Sequence, residues 1–223
     1  MRRKVPLVTG EVYHVFSKSI AGFRIFNSDP DYRRMLCGVL FFKIPNPQTT
    51  LSWLLRNGPK RIEENATTLS AGQRVQLIAY CIMQTHFHLL LRQTEDHGIS
   101  TYMGELQNSY ARYFNIKYKR KGHLWESAFC NVHVSSDEQA LHVTRYIHLN
   151  PVTAYLAGTP GEWQYSSYLE YMSEAGHYAG FCDLTRFPTL SPEQYSKFVA
   201  DLIAHQRMLA DHKRLVLDDP LAP

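Results

Sequence analysis

An α+β sandwich, with an antiparallel sheet covered by helices on one face, is the fold that the sequence predicts. Three observations point to it. The periodicity changes along the chain in the order strand, helix, strand, strand, helix, strand, helix. The short alternating runs are rich in β-branched and aromatic residues, which suit a half-buried pleated surface. The longer runs repeat apolar residues every three or four positions, which puts them on one side of a helix.

Each element follows from its residues. Glu11 to Lys18 (EVYHVFSK) alternates and forms a strand. Asp29 to Phe42 sets Tyr32, Met35, Leu36, Val39 and Leu40 on one helical side. Ile44 to Gly72 is punctuated by Pro, Asn and Gly, so it is an irregular insertion with one short helix near Leu51–Leu55. Val75 to Met83 and His86 to Arg92 are two strands joined tightly around Gln84-Thr85. Ser100 to Lys119 is the clearest helix, with Met103, Leu106, Tyr110, Tyr113 and Phe114 at helical spacing, and Gly122 ends it. Leu124 to Val134 is a strand. Ser135 opens the next helix with Glu138 three residues on, the capping-box pattern. Pro151 is expected to stop it, because the residue before a proline is pushed out of the α region. Beyond about Ser167 the pattern weakens. Ser191-Pro192-Glu193 starts a further helix that Tyr195, Phe198, Leu202 and Ile203 could dock on the body. The chain thus divides into a main domain over residues 1–170 and a small helical extension over 171–223, whose last dozen residues are expected to fray.

The bulk numbers narrow the function. A chain of 223 residues holds one substantial domain with at most a small appendage. Apolar runs such as Val39–Phe42 and Leu89–Leu91 are too short to span a bilayer. Met1-Arg2-Arg3-Lys4 is basic but no apolar stretch follows, so a cytoplasmic location without a signal peptide is expected. The four cysteines are widely spaced and are expected to be buried, reduced thiols. The net charge of +4 says little alone, but its distribution says more. From Leu106 to Trp125 there is no acidic residue, while Arg112, Lys117, Lys119, Arg120 and Lys121 alternate with Tyr110, Tyr113, Phe114 and Tyr118. Cations that track phosphates beside rings that stack bases suit single-stranded nucleic acid. A solvated basic helix end with its aromatics in the core is the alternative.

Four segments could carry chemistry. In His86-Phe87-His88 the two imidazoles share one strand face, either as a two-point metal site or as the bare His-x-His that is common without one. In Tyr146-Ile147-His148-Leu149-Asn150-Pro151, Tyr146 and Asn150 share a helix face. They are either a nucleophile beside an oxygen ligand or a half-buried tyrosine beside a helix cap. In Gly122-His123-Leu124-Trp125-Glu126, Trp125 is either a core anchor or a base-stacking platform. Trp163-Gln164-Tyr165-Ser166-Ser167-Tyr168 packs the end of the main domain, or offers a serine hydroxyl to a phosphate.

Together and in this order, the segments resemble the single-tyrosine HUH transposases, in particular their REP-associated branch. The match rests on Ala79 to Leu91 around His86 and His88, and on Tyr13-His14-Val15-Phe16 followed by Ile25-Phe26. It continues in Gly122-x-Leu124-Trp125, in Tyr146 to Val152 and in Trp163-x-x-Ser166-Ser167-Tyr168, and so covers about residues 10 to 170. The resemblance implies a ferredoxin-like sheet with the histidines on a central strand. It implies a divalent cation, Mg2+ or Mn2+, held by His86, His88 and Asn150, with Tyr146 as the nucleophile. Its implied substrate is single-stranded or hairpin DNA, nicked and rejoined through a 5′-phosphotyrosine link. This chain has Gln84-Thr85 where that branch often has Pro-Asn, and its insertion at 44–72 is longer than usual. The DNA is expected to meet Arg112, Lys117, Lys119, Arg120, Lys121, Tyr110 and Trp125. The competing readings are a metal-dependent phosphodiesterase using activated water, a non-catalytic hairpin binder and a structural metal protein. The C-terminal extension favours a monomer.

Overall fold

The computed structural model describes residues 6–45, 47, 49–57, 72–172, 181–184, 190–204 and 206–208. Four strands form: β1 (Val12–Lys18), β2 (Val75–Ile82), β3 (His86–Gln93) and β4 (Cys130–Val134). The helices are α1 (Asp29–Phe41), α2 (Leu51–Asn57), α3 (Gly98–Lys117), α4 (Asp137–Thr153), α5 (Tyr168–Tyr171) and α6 (Pro192–Ala200). The sheet order is β2-β3-β1-β4 and every neighbouring pair is antiparallel. With α1 between β1 and β2, and α3 between β3 and β4, this is the ferredoxin-like arrangement. β3 lies inside the sheet, as expected for the histidine strand.

Strand alternation decides which face each residue joins. Tyr13, Val15, Leu77, Tyr80, Phe87, Leu89 and Leu91 point into the main core with Met35 and Val39 of α1 and Tyr102, Leu106 and Tyr110 of α3. The other face is not bare. Ala79, Cys81, Leu90 and Val134 pack there against Ala140 and Ile147 of α4. The expectation of helices on one face is therefore corrected: α1 and α3 share one face and α4 covers part of the other. The β-run of β2 is apolar on both faces for this reason.

Three boundaries differ from the sequence reading. β4 begins at Cys130 rather than Leu124. Leu124 and Trp125 leave the ladder to seal the core, and the Trp125 Nε1 donates to the Gln107 carbonyl at 3.0 Å. α4 is capped by Ser136, whose Oγ accepts the Gln139 N–H at 3.1 Å, so the cap sits one residue later than Ser135 with Glu138. Pro151 does not stop α4, which runs on to Thr153. A proline inside a helix loses its own N–H bond and crowds the carbonyl of the preceding turn, a cost that packing offsets here. Buried Leu149 and Val152 hold the last turn against Tyr168, Tyr195 and Val199.

The expected docking of the last helix is realised. α6 opens on a capping box of Ser191 and Gln194, and Tyr195 and Val199 are buried against the back of α4. The segment before it covers the exposed edge of β2. Ile82 N–H reaches the Tyr165 carbonyl at 2.9 Å and Ser167 N–H reaches the Tyr80 carbonyl at 3.0 Å. A sheet edge left bare would template aggregation, so this strap has a clear structural task.

α2 supplies the short helix expected in the insertion, with Leu51 and Leu54 buried against Leu40 and Phe41 of α1. Residues 58–71, and the terminal dozen expected to fray, lie outside the described residues. Cys37, Cys81 and Cys182 are buried and outside any disulfide, but Cys130 is exposed, which corrects the expectation for that one. No helix among the described residues is long and apolar enough to cross a membrane.

Candidate active site

The β3 alternation sends Phe87 into the core and His86 and His88 to the α4 face. Register carries β1 residues to the same face, since Phe16 pairs with His88, Lys18 with His86, and His14 with Leu90. α4 then lays Tyr146 against His88 and His14. Its ring centroid is 5.6 Å from that of His88 and 5.8 Å from that of His14, edge-on in both cases. Tyr146 keeps 43% of its surface open to solvent, while His88 keeps 5%. Asn150 lies one turn further along α4. Its Nδ2 donates to the Tyr146 carbonyl at 2.8 Å, which leaves the amide oxygen uncommitted by that bond. Asn150 is inside the helix, so it is not the cap that one alternative required.

The ring nitrogens are arranged consistently. His86 Nδ1 lies 2.9 Å from Thr85 Oγ1, and His88 Nδ1 lies 2.9 Å from His14 Nε2. Both outer nitrogens are thereby held, and the Nε2 of each ring is the one left to bind. Metal-ligating histidines are usually held in this way through their second nitrogen. Among the described residues no three His, Cys, Asp or Glu side chains stand together as a metal-holding group. Two imidazoles plus a carboxamide oxygen would be the donor set, and such a set suits a divalent cation with open positions.

Burial keeps these imidazoles neutral. It lowers His14 to about 4, and burial together with the nearby Lys18 charge lowers His86 to about 4. His88 falls well below its ordinary value through burial, with His86, His14 and Lys18 adding to the effect. The buried His148 falls to about 3. Neutral rings offer the lone pairs a cation needs. They also make folding acid-labile. The unfolded chain binds protons near pH 6.5 and the folded chain does not, so stability is complete above about pH 6.5 and is lost as pH falls toward about 4. The slope is at most about 1.4 kcal/mol per pH unit for each histidine. Urea denaturation should show a level midpoint from pH 7.5 to about 6.5 and a falling one from there to pH 4.5, and a midpoint flat over the whole range would refute this account.

Tyr146 is pushed the other way. Burial raises its hydroxyl above the ordinary phenol range and the Asn150 amide draws it down. His148, two residues on, cannot serve as its base. It is fully buried on the opposite side of α4, with Nδ1 2.7 Å from Tyr195 Oη and Nε2 2.8 Å from Ser167 Oγ. The same contact removes Ser167 from consideration as a phosphate contact.

The residues expected to meet DNA divide. Tyr110 is buried and its hydroxyl donates to the Ile25 carbonyl at 2.6 Å, so it is a core residue and not a stacking platform. Trp125 is half-buried edge-on against Phe87 and anchors the core. Lys117 is tied to the buried Asp31 carboxylate at 2.6 Å. Arg120 turns back to the His123 carbonyl at 2.6 Å. Lys119 and Lys121 are exposed in the turn after α3. Arg112 lines a groove of about 800 Å³ between α1, α2 and α3, on the far side of the sheet from Tyr146. Two exposed cations were overlooked. Lys18 stands across the strand from His86, and Arg24 follows the exposed Phe23. The bridge from Ser19 to Trp125, with Ser19 N–H bonded to the Thr85 carbonyl at 2.8 Å, puts the 122–126 loop at this same end of the sheet. Lys18 could have been found in the sequence from its parity with His14 and Phe16 on β1.

The ferredoxin-like sheet, with a histidine pair on an inner strand and a tyrosine on the helix that faces it, has the arrangement that the resemblance to the single-tyrosine HUH transposases implied. Residues 52–150 match the family model described as "Transposase IS200 like", a span that holds His86, His88, Tyr146 and Asn150. Over that span the chain is similar to this family of transposases. No curated protein matches the sequence. Among solved structures, it is similar to one titled "Structure of the REP associates tyrosine transposase bound to a REP hairpin". The TM-score is 0.55 at 13% identity, over 85% of this chain and 98% of that one. At that identity the likeness speaks for the fold.

Proposed function

We propose that this protein nicks and rejoins single-stranded or hairpin DNA through Tyr146. The observation that carries the reading is a solvent-open tyrosine set edge-on against His88 of the histidine pair, with Asn150 on the same helix side. A binding module would have no need of a nucleophile held at that place.

His86, His88 and Asn150 would hold a divalent cation, Mg2+ or Mn2+. When bound, it supplies Lewis-acid polarisation of the scissile phosphate and favours the tyrosinate. The chain's own residues do the rest. Tyr146 Oη attacks phosphorus in line, the Oη–P bond forms, the P–O3′ bond breaks and the 3′ oxygen leaves as a hydroxyl. A DNA 3′-hydroxyl later attacks the same phosphorus, the Oη–P bond breaks, and Tyr146 recovers its proton. The bond energy is kept in the phosphotyrosine throughout, so neither ATP nor water is consumed. The neutral rings of His14 and His88 flank the Tyr146 ring edge-on and hold it over the site. Lys18, Lys119 and Lys121 offer charge to the strand at the His86 end of the sheet.

The test is a denaturing gel of the purified protein with end-labelled hairpin DNA, taken from repeats that flank its gene, and Mn2+. A slow-migrating adduct supports the proposal. Cleaved DNA without an adduct would point to metal-activated water, and tight hairpin binding without cleavage would favour a non-catalytic binder.

A further inference from the structure

We infer that His14 is a positioning residue that holds His88 in its ligating form before any cation arrives. The inference rests on the reading of His88 as a cation ligand. His14 and His88 sit diagonally across the β1–β3 ladder, a distance that long or cyclic side chains span. Their rings lie nearly parallel, 24° apart with centroids at 5.1 Å. The single polar contact between them joins His14 Nε2 to His88 Nδ1 at 2.9 Å.

Two neutral imidazoles can share one proton across that contact in two ways. If His14 donates, His88 carries its own proton on Nε2, and that nitrogen cannot bind a metal. If His88 donates from Nδ1, its Nε2 keeps a free lone pair, and His14 carries its proton on Nδ1. Only the second arrangement is competent. His86 has a softer support, since the Thr85 hydroxyl can donate or accept and rotates to suit either form. His14 is held more firmly, between Phe16 at 5.3 Å, His88 and Tyr146. The same ring therefore fixes the ligand and braces the nucleophile.

Two measurements test this on the full chain in a Tyr146→Phe background, so that no chemistry intervenes. The first is Mn2+ affinity, read by electron paramagnetic resonance of the free ion. His14→Leu removes the acceptor and should weaken Mn2+ by roughly 10- to 100-fold. His14→Gln returns an acceptor oxygen near the Nε2 position and should stay within about threefold. Equal losses in both variants, or none in His14→Leu, would overturn the inference. His88→Ala is measured beside them. If it leaves Mn2+ affinity unchanged, the ligand reading itself fails; if it weakens binding while His14→Leu does not, only the role of His14 fails. The second measurement needs no change at His14. Nitrogen-15 correlation spectra of the metal-free protein should show His88 protonated on Nδ1, and a proton on Nε2 would overturn the proposal.

Discussion

Tyr146→Phe is expected to abolish the covalent protein–DNA adduct while hairpin affinity stays nearly unchanged. The substitution deletes one oxygen. The ring contacts to His14 and His88 remain, and the residue already keeps 43% of its surface open to solvent. A surface change of this kind costs at most about 0.5 kcal/mol of stability. The chemical effect is far larger, because removing a nucleophile costs on the order of 10⁶-fold where it has been measured in an unrelated enzyme. Within a gel's range that is a complete loss. The informative combination is adduct formation alongside hairpin binding measured by anisotropy. An adduct that survives in the phenylalanine variant would place the nucleophile elsewhere. Cleavage that continues without an adduct would transfer the role to water.

His148→Ala is expected to give the largest loss of stability among single changes near the site, about 3 kcal/mol. The imidazole is fully enclosed, both nitrogens are bonded, and three tyrosine rings surround it edge-on. Truncation leaves a cavity and takes one partner each from Tyr195 and Ser167. Those hydroxyls keep other bonds, to Thr144 Oγ1 at 2.9 Å and to Tyr80 N–H at 2.9 Å, which limits the loss. For a chain of this size the melting midpoint should fall by roughly 6–12 °C. Tyr195→Phe, which removes one hydrogen bond and no volume, should cost only about 1 kcal/mol. A His148→Ala midpoint within a degree of the parent would show that the network is dispensable.

Much of this was legible in the sequence because it depended on local rules. Alternation on β1 and β3 settled which face each histidine joins, and four-residue spacing settled that Tyr146 and Asn150 share a side of α4. What escaped was set by tertiary contact. Pro151 looked like a stop, but burial of Leu149 and Val152 carries the helix past it. Tyr110 and Trp125 looked like base platforms because aromatics among cations read alike whether they face DNA or the core. Lys117 looked unclaimed because its partner, Asp31, lies 86 residues away in sequence. The contact between His14 and His88 was invisible for a similar reason, since strand register, rather than spacing, brings two residues 74 apart into one bond.

The hydrogen bonds at His148 have a consequence for how molecules cooperate. α4 is fastened within its own chain at several points: to β2 and β3 through Ile147, and, through His148, to Ser167 of the 163–168 strap and to Tyr195 of α6. If these contacts hold the helix on its own sheet, it does not exchange with a second molecule. Mixing the Tyr146→Phe protein, which keeps its histidines, with a His88→Ala protein, which keeps its tyrosine, should therefore yield no adduct at any ratio. Recovered activity in that mixture would mean that the helix can leave its own sheet, and that each working centre is assembled from two chains.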